Sequence, residues 1–286
     1  MSADKKYQKL VADYDKHCLR VAQATTINIH ESPHDKQSRI KMLERDYVKW
    51  FEYYFPNYAK NKCASFQGEL ANLIIKHRTI RTLVEWFRSA AKSVHVCLGI
   101  PMFLYLVKNE LHFMLLFGET EPKAKQLLSG LQSELQHNNR IKNDYGLKFQ
   151  QGDWADGNFT TTDGVKFMAL GFMQNPRGVR EGAQRPDYIV CDDVDDKRHV
   201  NNDRMMREAV DFITEDIWGA FDAAINGIER FIFANNNFHK NSITNRLKTY
   251  FKDVLKKRKD RNEKSSTVYK VHSITALKDL VTFDPR

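Results

Sequence analysis

From about residue 72 onward, short and uninterrupted apolar runs alternate with segments whose apolar residues recur at helical spacing. Strands that are apolar at every position are typical of a sheet covered on both faces, and helices between them make that sheet largely parallel. Four runs have this character, at residues 82–87, 112–117, 188–191 and 230–234. The helical patterns between and after them cover residues 93–108, 121–138, 202–224 and 241–256. The alternation predicts an α/β fold built from β-α-β units.

The rest of the chain is predicted to form a hairpin and a helical N-terminal region. Residues 158–171 read as two strands that turn at Asp163 and Gly164. Residues 3–25 and 36–55 carry apolar and aromatic residues at helical spacing, with a break at residues 32–35. Pro56 is expected to end the second helix. We therefore expect a small helical subdomain over residues 1–60 and an α/β core over residues 61–286.

Composition limits the partners and the environment. The 286 residues carry 45 Lys and Arg against 36 Asp and Glu, a formal net charge of +9, which makes a polyanion such as nucleic acid a reasonable partner. The basic run at residues 256–261 is read either as a solvated helix end or as a DNA contact. The 4 cysteines have no metal-binding spacing, and no apolar stretch is long enough to cross a bilayer. Free thiols in a reducing compartment, and no membrane association, are expected.

A first candidate site lies between the first strand and its helix, at residues 86–93. A phosphate-binding loop needs backbone N–H groups at a helix N-terminus, a Lys for the β- and γ-phosphates and a Ser or Thr hydroxyl for Mg²⁺. Lys92 and Ser93 supply the last two, whereas Trp86 and Ala91 occupy the places of the two glycines of the usual pattern. The plainer interpretation is an ordinary first helical turn with a solvated Lys.

A second candidate site follows the strand at residues 188–191. One Asp after such a strand can hold Mg²⁺ and the next acidic residue can orient the attacking water of a nucleoside triphosphatase. These would be Asp192 and Asp193, with Asp195 as the alternative to the latter. An acidic loop that binds a cation weakly, or a metal-dependent nuclease built on the same cluster, are the other interpretations. The order, strand context and separation of the two sites favour the ATPase.

Four segments together resemble the ATPase domain of the large subunits of tailed-bacteriophage terminases, closest to those of Bacteroidetes phages. They are residues 88–93 (RSAAKS), 171–180 (GFMQNPRGVR), 185–193 (RPDYIVCDD) and 231–236 (FIFANN). The resemblance covers about residues 60–275, and the RPD–DD strand with the preceding PRG is its most specific part. Terminases have irregular phosphate loops of the form Ser-Arg-Gly-x-x-Lys-Ser, and this chain departs from that form at Phe87 and Ser89.

The resemblance implies a P-loop NTPase core of the RecA-like (ASCE) type with ATP and Mg²⁺ as cofactors. It assigns Ser89, Ala90, Ala91, Lys92 and Ser93 to the phosphate loop, with Ser93 and Asp192 as magnesium ligands. It assigns Arg88 and Asn236 to sensing the γ-phosphate, and Asp193 to catalysis. Gln67, next to Phe66, matches the position of an adenine contact, and Arg177 or Arg180 would complete a neighbouring subunit's site in a ring.

The function that the resemblance implies is packaging of double-stranded DNA into a procapsid, driven by ATP hydrolysis. Implied partners are duplex DNA, further copies of the chain in a ring, a portal protein and a small terminase subunit, in the cytoplasm of an infected bacterial host. Terminases continue into an RNase H-like nuclease domain. No second acidic constellation follows residue 240, so nuclease activity is not expected here. A helicase-like DNA-remodelling ATPase and a non-hydrolysing nucleic-acid-binding domain are the alternatives.

Overall fold

A computed structural model describes residues 3–176, 184–195, 200–221 and 227–275. Within these residues the chain forms one eight-stranded sheet with the order β3-β4-β5-β2-β6-β7-β1-β8. The strands are β1 (Thr79–Trp86), β2 (Phe113–Gly118), β3 (Trp154–Ala155), β4 (Asn158–Thr160), β5 (Lys166–Gly171), β6 (Tyr188–Asp192), β7 (Glu229–Ala234) and β8 (Val268–Ile274). In sheet order, the six neighbouring strands β5, β2, β6, β7, β1 and β8 pair in parallel. The hairpin strands β3 and β4 pair antiparallel with each other, and β4 pairs antiparallel with β5. The expected α/β class with a mainly parallel sheet is confirmed.

Helices cover both faces of this sheet. They are α1 (Ala3–Ala24), α2 (Pro33–Leu43), α3 (Tyr47–Tyr54), α4 (Ser65–Lys76), α5 (Lys92–Val94), α6 (Ile100–Phe103), α7 (Glu121–His137), α8 (Asn139–Tyr145), α9 (Asp203–Asp211) and α10 (Ile243–Asp260). A π-helical turn (His95–Gly99) joins α5 to α6, and a second one (Leu104–Lys108) continues α6. Together they form one helical segment over residues 92–108. A π turn (Phe212–Ile217) and a 3₁₀ turn (Trp218–Ala220) continue α9.

Alternating side chains of the strands supply two hydrophobic cores. Leu83 of β1 and Ile189 of β6 face the core that contains α9 and α10. Their neighbours Val84 and Val190 face the other core, which contains α3, α4, the 92–108 segment and α7. Successive side chains of a strand point to opposite faces, so a strand between two cores must be apolar at nearly every position. This explains the uninterrupted apolar runs in the sequence.

The hairpin that the sequence predicts is confirmed. β4 and β5 pair antiparallel, with Thr160 opposite Lys166. Gly164 takes a left-handed φ of 83°, and its N–H donates to the carbonyl of Thr161 at 2.9 Å. The Asp163 carboxylate accepts from the Thr161 hydroxyl at 2.7 Å and so stabilises the turn.

The continuous helix predicted for residues 36–55 is wrong, because the structure has α2 and α3 there. Asp46 is extended, with φ −139°, and its carboxylate accepts from the N–H groups of Val48 at 2.9 Å and Lys49 at 3.3 Å. It therefore caps a new helix. The expected break at residues 32–35 is instead the start of α2, in which Ser32 is the N-cap and Pro33 is the first helical residue.

The N-terminal helices share a core with the sheet. Tyr47 and Phe51 of α3 pack on Gly99 so closely that a Cβ there would lie 2.4 Å from the Tyr47 Oη. The same hydroxyl lies 2.7 Å from Nδ1 of the buried His95. Burial lowers the pKa of His95 to about 4, so the ring is neutral, and a hydrogen bond joins it to the Tyr47 hydroxyl. α3 is thereby held against the helical segment that follows β1.

Candidate nucleotide-binding site

The carboxyl ends of the central parallel strands bring most of the candidate residues together. In the sheet, β7 lies between β1 and β6, with Ala234 paired to both Val84 and Asp192. The loop after β1, the carboxylates after β6 and Asn235–Asn236 after β7 therefore emerge side by side. Ligands of open parallel sheets bind at this edge. Because β7 lies next to β1 in the sheet, residues as far apart in the sequence as Lys92 and Asn236 come into contact at this edge.

The loop after β1 has a backbone that is rare for its residue types. Ser89 has φ 68° and Ala91 has φ 60°, both left-handed, and neither is glycine. The Ala90 N–H donates to the carbonyl of Phe87 at 3.3 Å, and helix α5 begins directly afterwards at Lys92. The first N–H groups of a helix have no intrahelical partner and can bind an anion. The loop thus has the turn and helix start that a phosphate site needs, at the expense of backbone strain.

Lys92 is buried at this edge, with a relative exposure of 8%. Its Nζ donates to the Asn236 Oδ1 at 3.2 Å, which joins the ends of β1 and β7. Burial lowers the pKa of Lys92, while the nearby carboxylates of Asp192 and Asp193 act in the opposite direction. A solvated Lys of an ordinary first turn would show neither this burial nor this amide partner. The observed contact favours the interpretation as a ligand-binding Lys.

Asp192 and Ser93 form the candidate magnesium pair. Asp192 is 3% exposed, burial raises its pKa to about 6, and a hydrogen bond from the Ser93 side chain partly offsets that effect. The Asp192 Oδ1 is buried without a hydrogen-bond partner. A buried carboxylate oxygen without a partner is unfavourable unless a ligand binds it. Carboxylate and hydroxyl oxygens are ligands that Mg²⁺ accepts, so the residues present fit this cation.

The remaining coordination positions would be filled by other oxygens. Among the described residues, no three His, Cys, Asp or Glu side chains lie together as a cation-binding group. Mg²⁺ in phosphate-transfer sites is commonly held by one or two protein oxygens together with substrate phosphates and water. Ser93 and Asp192 suffice for that mode of binding.

The two other acidic candidates differ in environment. Asp193 is exposed and has a left-handed φ of 51°, and its N–H donates to the Ala234 carbonyl at 2.9 Å. Asp195 is buried, with a relative exposure of 8%, and contacts Thr244 at the start of α10. Both carboxylates therefore lie at the same edge of the sheet, but Asp193 is exposed to solvent whereas Asp195 is buried.

Two adjoining cavities open at this edge. One has a volume of about 640 Å³ and is lined by residues 88–94, Asp192 and Asn236. The other has a volume of about 620 Å³ and is lined by Trp86, Phe87, Asp195 and Asn236, among others. Arg88, Glu119, Asp193 and Asn236 line both. The first cavity is large enough for a nucleotide-sized ligand.

Gln67 lies next to the loop and contacts the loop backbone. Its Oε1 accepts from the Ala64 N–H at 3.0 Å, and its Nε2 donates to the Ala90 carbonyl at 2.9 Å. The adjacent Phe66 ring packs edge-on against Trp86, with ring centroids 4.8 Å apart. Gln67 thus joins the start of α4 to the loop after β1, and its contact with adenine stays a prediction.

Arg88 is exposed and lines both cavities. Arg177 and Arg180 lie outside the described residues. Sequence reasoning missed Glu119, which follows Gly118 of β2 and lines both cavities, and Thr244, which contacts Asp195. Glu119 could have been found because it directly follows an apolar run, as the other candidates do. Thr244 gave no such signal.

No protein-family model matches the chain, and a search of curated proteins finds no match. Within the described residues, no helix is both long enough and apolar enough to span a lipid bilayer.

Proposed function

We propose that the chain is a Mg²⁺-dependent ATPase whose turnover moves double-stranded DNA, as in the packaging motor of a terminase large subunit. The observation that carries the proposal is the position of Lys92. It is the first residue of a helix that follows a left-handed loop, and its buried ammonium group contacts Asn236 beside the Asp192–Ser93 pair. A cation, free helix N–H groups and a magnesium pair around one cavity are what a triphosphate requires.

Each group has a separate task in this proposal. The N–H groups at the start of α5 and the Lys92 ammonium bind phosphate oxygens, and Ser93 and Asp192 hold the cation. When bound, Mg²⁺ neutralises the charge that develops on the phosphates during transfer. Arg88 and Asn236 line both cavities, and their task in this proposal is to contact the terminal phosphate. The exclusion of water from the buried side of Lys92 strengthens its attraction for the anion.

The DNA part of the proposal depends on charge and on the resemblance. Lys256, Lys257 and Lys259 are exposed on the last turns of α10, and the chain carries a net charge of +9. Contacts from such side chains to phosphates do not depend on base sequence. A ring of copies, a portal protein and a small terminase subunit are the further partners that the resemblance supports.

The test is a binding titration of a fluorescent ATP analogue with and without Mg²⁺. We expect Lys92→Ala to weaken binding roughly 10- to 100-fold, because a charged hydrogen bond to phosphate is lost. Asp192→Asn should remove most of the Mg²⁺ dependence of binding. Lys252→Ala, at an exposed position of α10 away from the loop, is the matched control and should bind as the wild type does. Unchanged affinity in Lys92→Ala would contradict the proposal.

Hydrolysis distinguishes the proposal from its alternatives. Turnover stimulated by duplex DNA supports a translocating ATPase, and strand separation in the same assay would support a helicase-like enzyme instead. Nucleotide binding without turnover, with DNA present and at concentrations that favour assembly, would support a non-hydrolysing binding domain.

A further inference from the structure

Gln67 lies behind the loop after β1 and not in the candidate site itself. The residue is half-buried in the first turn of α4, and its side chain reaches the loop from there. Ala90 and Ala91 line the cavity of about 640 Å³, whereas Gln67 lines neither of the two cavities described above. The backbone of the loop therefore lies between Gln67 and a ligand in that cavity.

Both polar atoms of the Gln67 amide are engaged within the chain. The Oε1 atom accepts from the Ala64 N–H at 3.0 Å, and the Nε2 atom donates to the Ala90 carbonyl at 2.9 Å. A glutamine that reads the edge of adenine directs these same atoms at the base. Gln67 would have to break its contact with Ala90, and then pass the loop, to reach a base in the cavity.

The contact with the Ala90 carbonyl fixes the direction of the next N–H group. The peptide between Ala90 and Ala91 is trans, so its C=O and N–H point in opposite directions. Because the carbonyl faces Gln67, the Ala91 N–H faces the cavity. This N–H makes no backbone hydrogen bond with another described residue. It is thus free to bind an anion together with the N–H groups at the start of α5.

This peptide orientation requires an unfavourable conformation of Ala91, which has φ 60° and ψ 27°. Rotation of the peptide plane by about 180° would bring φ of Ala91 to about −120°, an ordinary extended value. The same rotation would turn the Ala90 carbonyl toward the cavity, where its partial negative charge would repel a phosphate. The hydrogen bond from Gln67 opposes this rotation, because a carbonyl that faces the cavity cannot accept from Nε2.

The support behind the hydrogen bond is well packed. The ring of Phe66, which precedes Gln67, packs edge-on against Trp86 and Phe87, with ring centroids 4.8 and 6.2 Å apart. Further along α4, Leu70 and Ile74 are fully buried in the core. The start of α4 is therefore held against the end of β1, and Gln67 acts on the loop from a fixed position.

We propose that Gln67 is a positioning residue for the triphosphate. It holds the Ala90–Ala91 peptide with the N–H toward the phosphates, and it does not read the nucleobase. This inference rests on the proposed nucleotide-binding function and differs from the adenine contact that the terminase resemblance implies. Because Gln67 acts only through the phosphate-binding backbone, every ligand with the same phosphate chain should depend on it equally, with or without a base.

The test compares three ligands on the full chain, each as its Mg²⁺ complex. They are inorganic tripolyphosphate, a non-hydrolysable ATP analogue and the corresponding GTP analogue. Calorimetric titration gives the affinity of the wild type and of Gln67→Ala for each. We expect Gln67→Ala to weaken all three by the same factor of roughly five, the effect of one lost hydrogen bond. A contact with adenine would instead weaken the ATP analogue and leave tripolyphosphate unchanged.

Ala64→Pro is the matched control for the helix start. It removes the N–H that the Gln67 Oε1 accepts and leaves the contact between Nε2 and Ala90 in place. Ala64 has φ −72°, which proline adopts readily. This variant should bind tripolyphosphate within about twofold of the wild type. A merely structural contribution from the start of α4 would weaken binding in Ala64→Pro as much as in Gln67→Ala.

A double variant tests the orientation of the peptide itself. Glycine adopts the left-handed conformation freely, so Ala91→Gly removes the preference for the rotated peptide. Added to Gln67→Ala, it should improve tripolyphosphate binding at least about twofold. In the wild type, where Gln67 already holds the peptide, the same substitution should change the affinity less. Equal effects in the two backgrounds would show no coupling between the two residues and would refute the inference.

The outcomes separate the role of Gln67 from the function. Weaker binding of the ATP analogue alone in Gln67→Ala assigns the residue to adenine and refutes the inference. Unchanged affinity for all three ligands refutes it too. A wild type that binds none of the three ligands refutes the proposed nucleotide-binding function itself.

Discussion

The strained backbone of the loop after β1 comes from two residues, Ser89 and Ala91, with φ of 68° and 60°. For residues with a Cβ this conformation is unfavourable by about 1–2 kcal/mol, whereas glycine adopts it freely. Because Ala91 stands where phosphate loops usually carry glycine, the usual residue is also the one that the backbone favours.

We predict that Ala91→Gly raises the free energy of unfolding by up to about 1 kcal/mol, since the relief of strain outweighs the extra entropy of the unfolded chain. Ala90→Gly is the matched control. Ala90 is buried and is not left-handed, so its replacement should lower the free energy of unfolding by about 1 kcal/mol. Urea denaturation measures both, and equal destabilisation by the two variants would contradict the account.

Individual site residues were predictable where they directly follow an apolar strand. Asp192 was predicted on that basis, Lys92 and Ser93 were predicted from the loop between the first strand and its helix, and the structure brings the three together. The contact of Asp195 with Thr244 was not predictable, because the two residues are 49 positions apart in the sequence. No local pattern in the sequence encodes which carboxylate will meet the start of a distant helix.

At the scale of elements, the contact between α7 and α3 contains a buried acid. Glu134 is 1% exposed, and its Oε2 accepts from the Asn138 Nδ2 at 2.7 Å. Asn138 Nδ2 also donates to the Tyr54 carbonyl at 2.6 Å, which ties α7 to the end of α3. Burial raises the pKa of Glu134 to about 8, so the side chain is protonated at neutral pH.

This raised pKa predicts a pH-dependent stability. Between its ordinary pKa near 4.5 and its folded value of about 8, the folded chain binds a proton that the unfolded chain has released. The free energy of unfolding therefore falls as pH rises through that interval and stays lower above it. Glu134→Gln keeps the shape without this titration, so its advantage over the wild type should grow from near zero at pH 4 to on the order of 5 kcal/mol at pH 9.

Denaturation at several pH values measures this difference. Glu263→Gln, at an exposed position, is the matched control and should not reproduce the rise. An advantage of Glu134→Gln that does not depend on pH would contradict the assignment of a buried, protonated acid.

The sequence predicted which segments form strands and helices better than it predicted the residues at which they begin and end. The apolar runs identified the central strands, yet β1 begins at Thr79, earlier than the run at residue 82, because it includes the buried Arg81. Arg81 is neutralised by Glu229 on the neighbouring β7 and packs over the Phe221 ring. Such pairing between strands is invisible to periodicity. The division into α2 and α3 depended likewise on a single capping side chain, that of Asp46.

At the scale of the whole molecule, α10 connects the candidate nucleotide-binding site with a group of exposed basic side chains. α10 begins beside Asp195 and ends in exposed Lys256, Lys257 and Lys259, so one helix runs from the candidate site to the basic surface. The sheet order itself was not predictable from the sequence. Only the structure shows that β7 lies between β1 and β6 and so brings Asn236 to Lys92.

We predict that replacing Lys256, Lys257 and Lys259 together by Ala weakens binding to duplex DNA. The slope of log affinity against log salt concentration should fall by about 2–3, because each lost phosphate contact removes about 0.9. The matched control replaces Lys60 and Lys62, which are exposed near α4 on the opposite face of the sheet. Fluorescence anisotropy across a salt series measures both. An unchanged slope in the α10 variant would place the DNA contact elsewhere.

The most direct test of the central claim is a crystal structure of the chain with Mg²⁺ and a non-hydrolysable ATP analogue. The account predicts that the phosphates lie against the N–H groups of residues 89–93 and contact the Lys92 ammonium, with the cation between Ser93, Asp192 and phosphate oxygens. A nucleotide bound elsewhere, with Lys92 still held by Asn236 and no cation at Asp192, would contradict it.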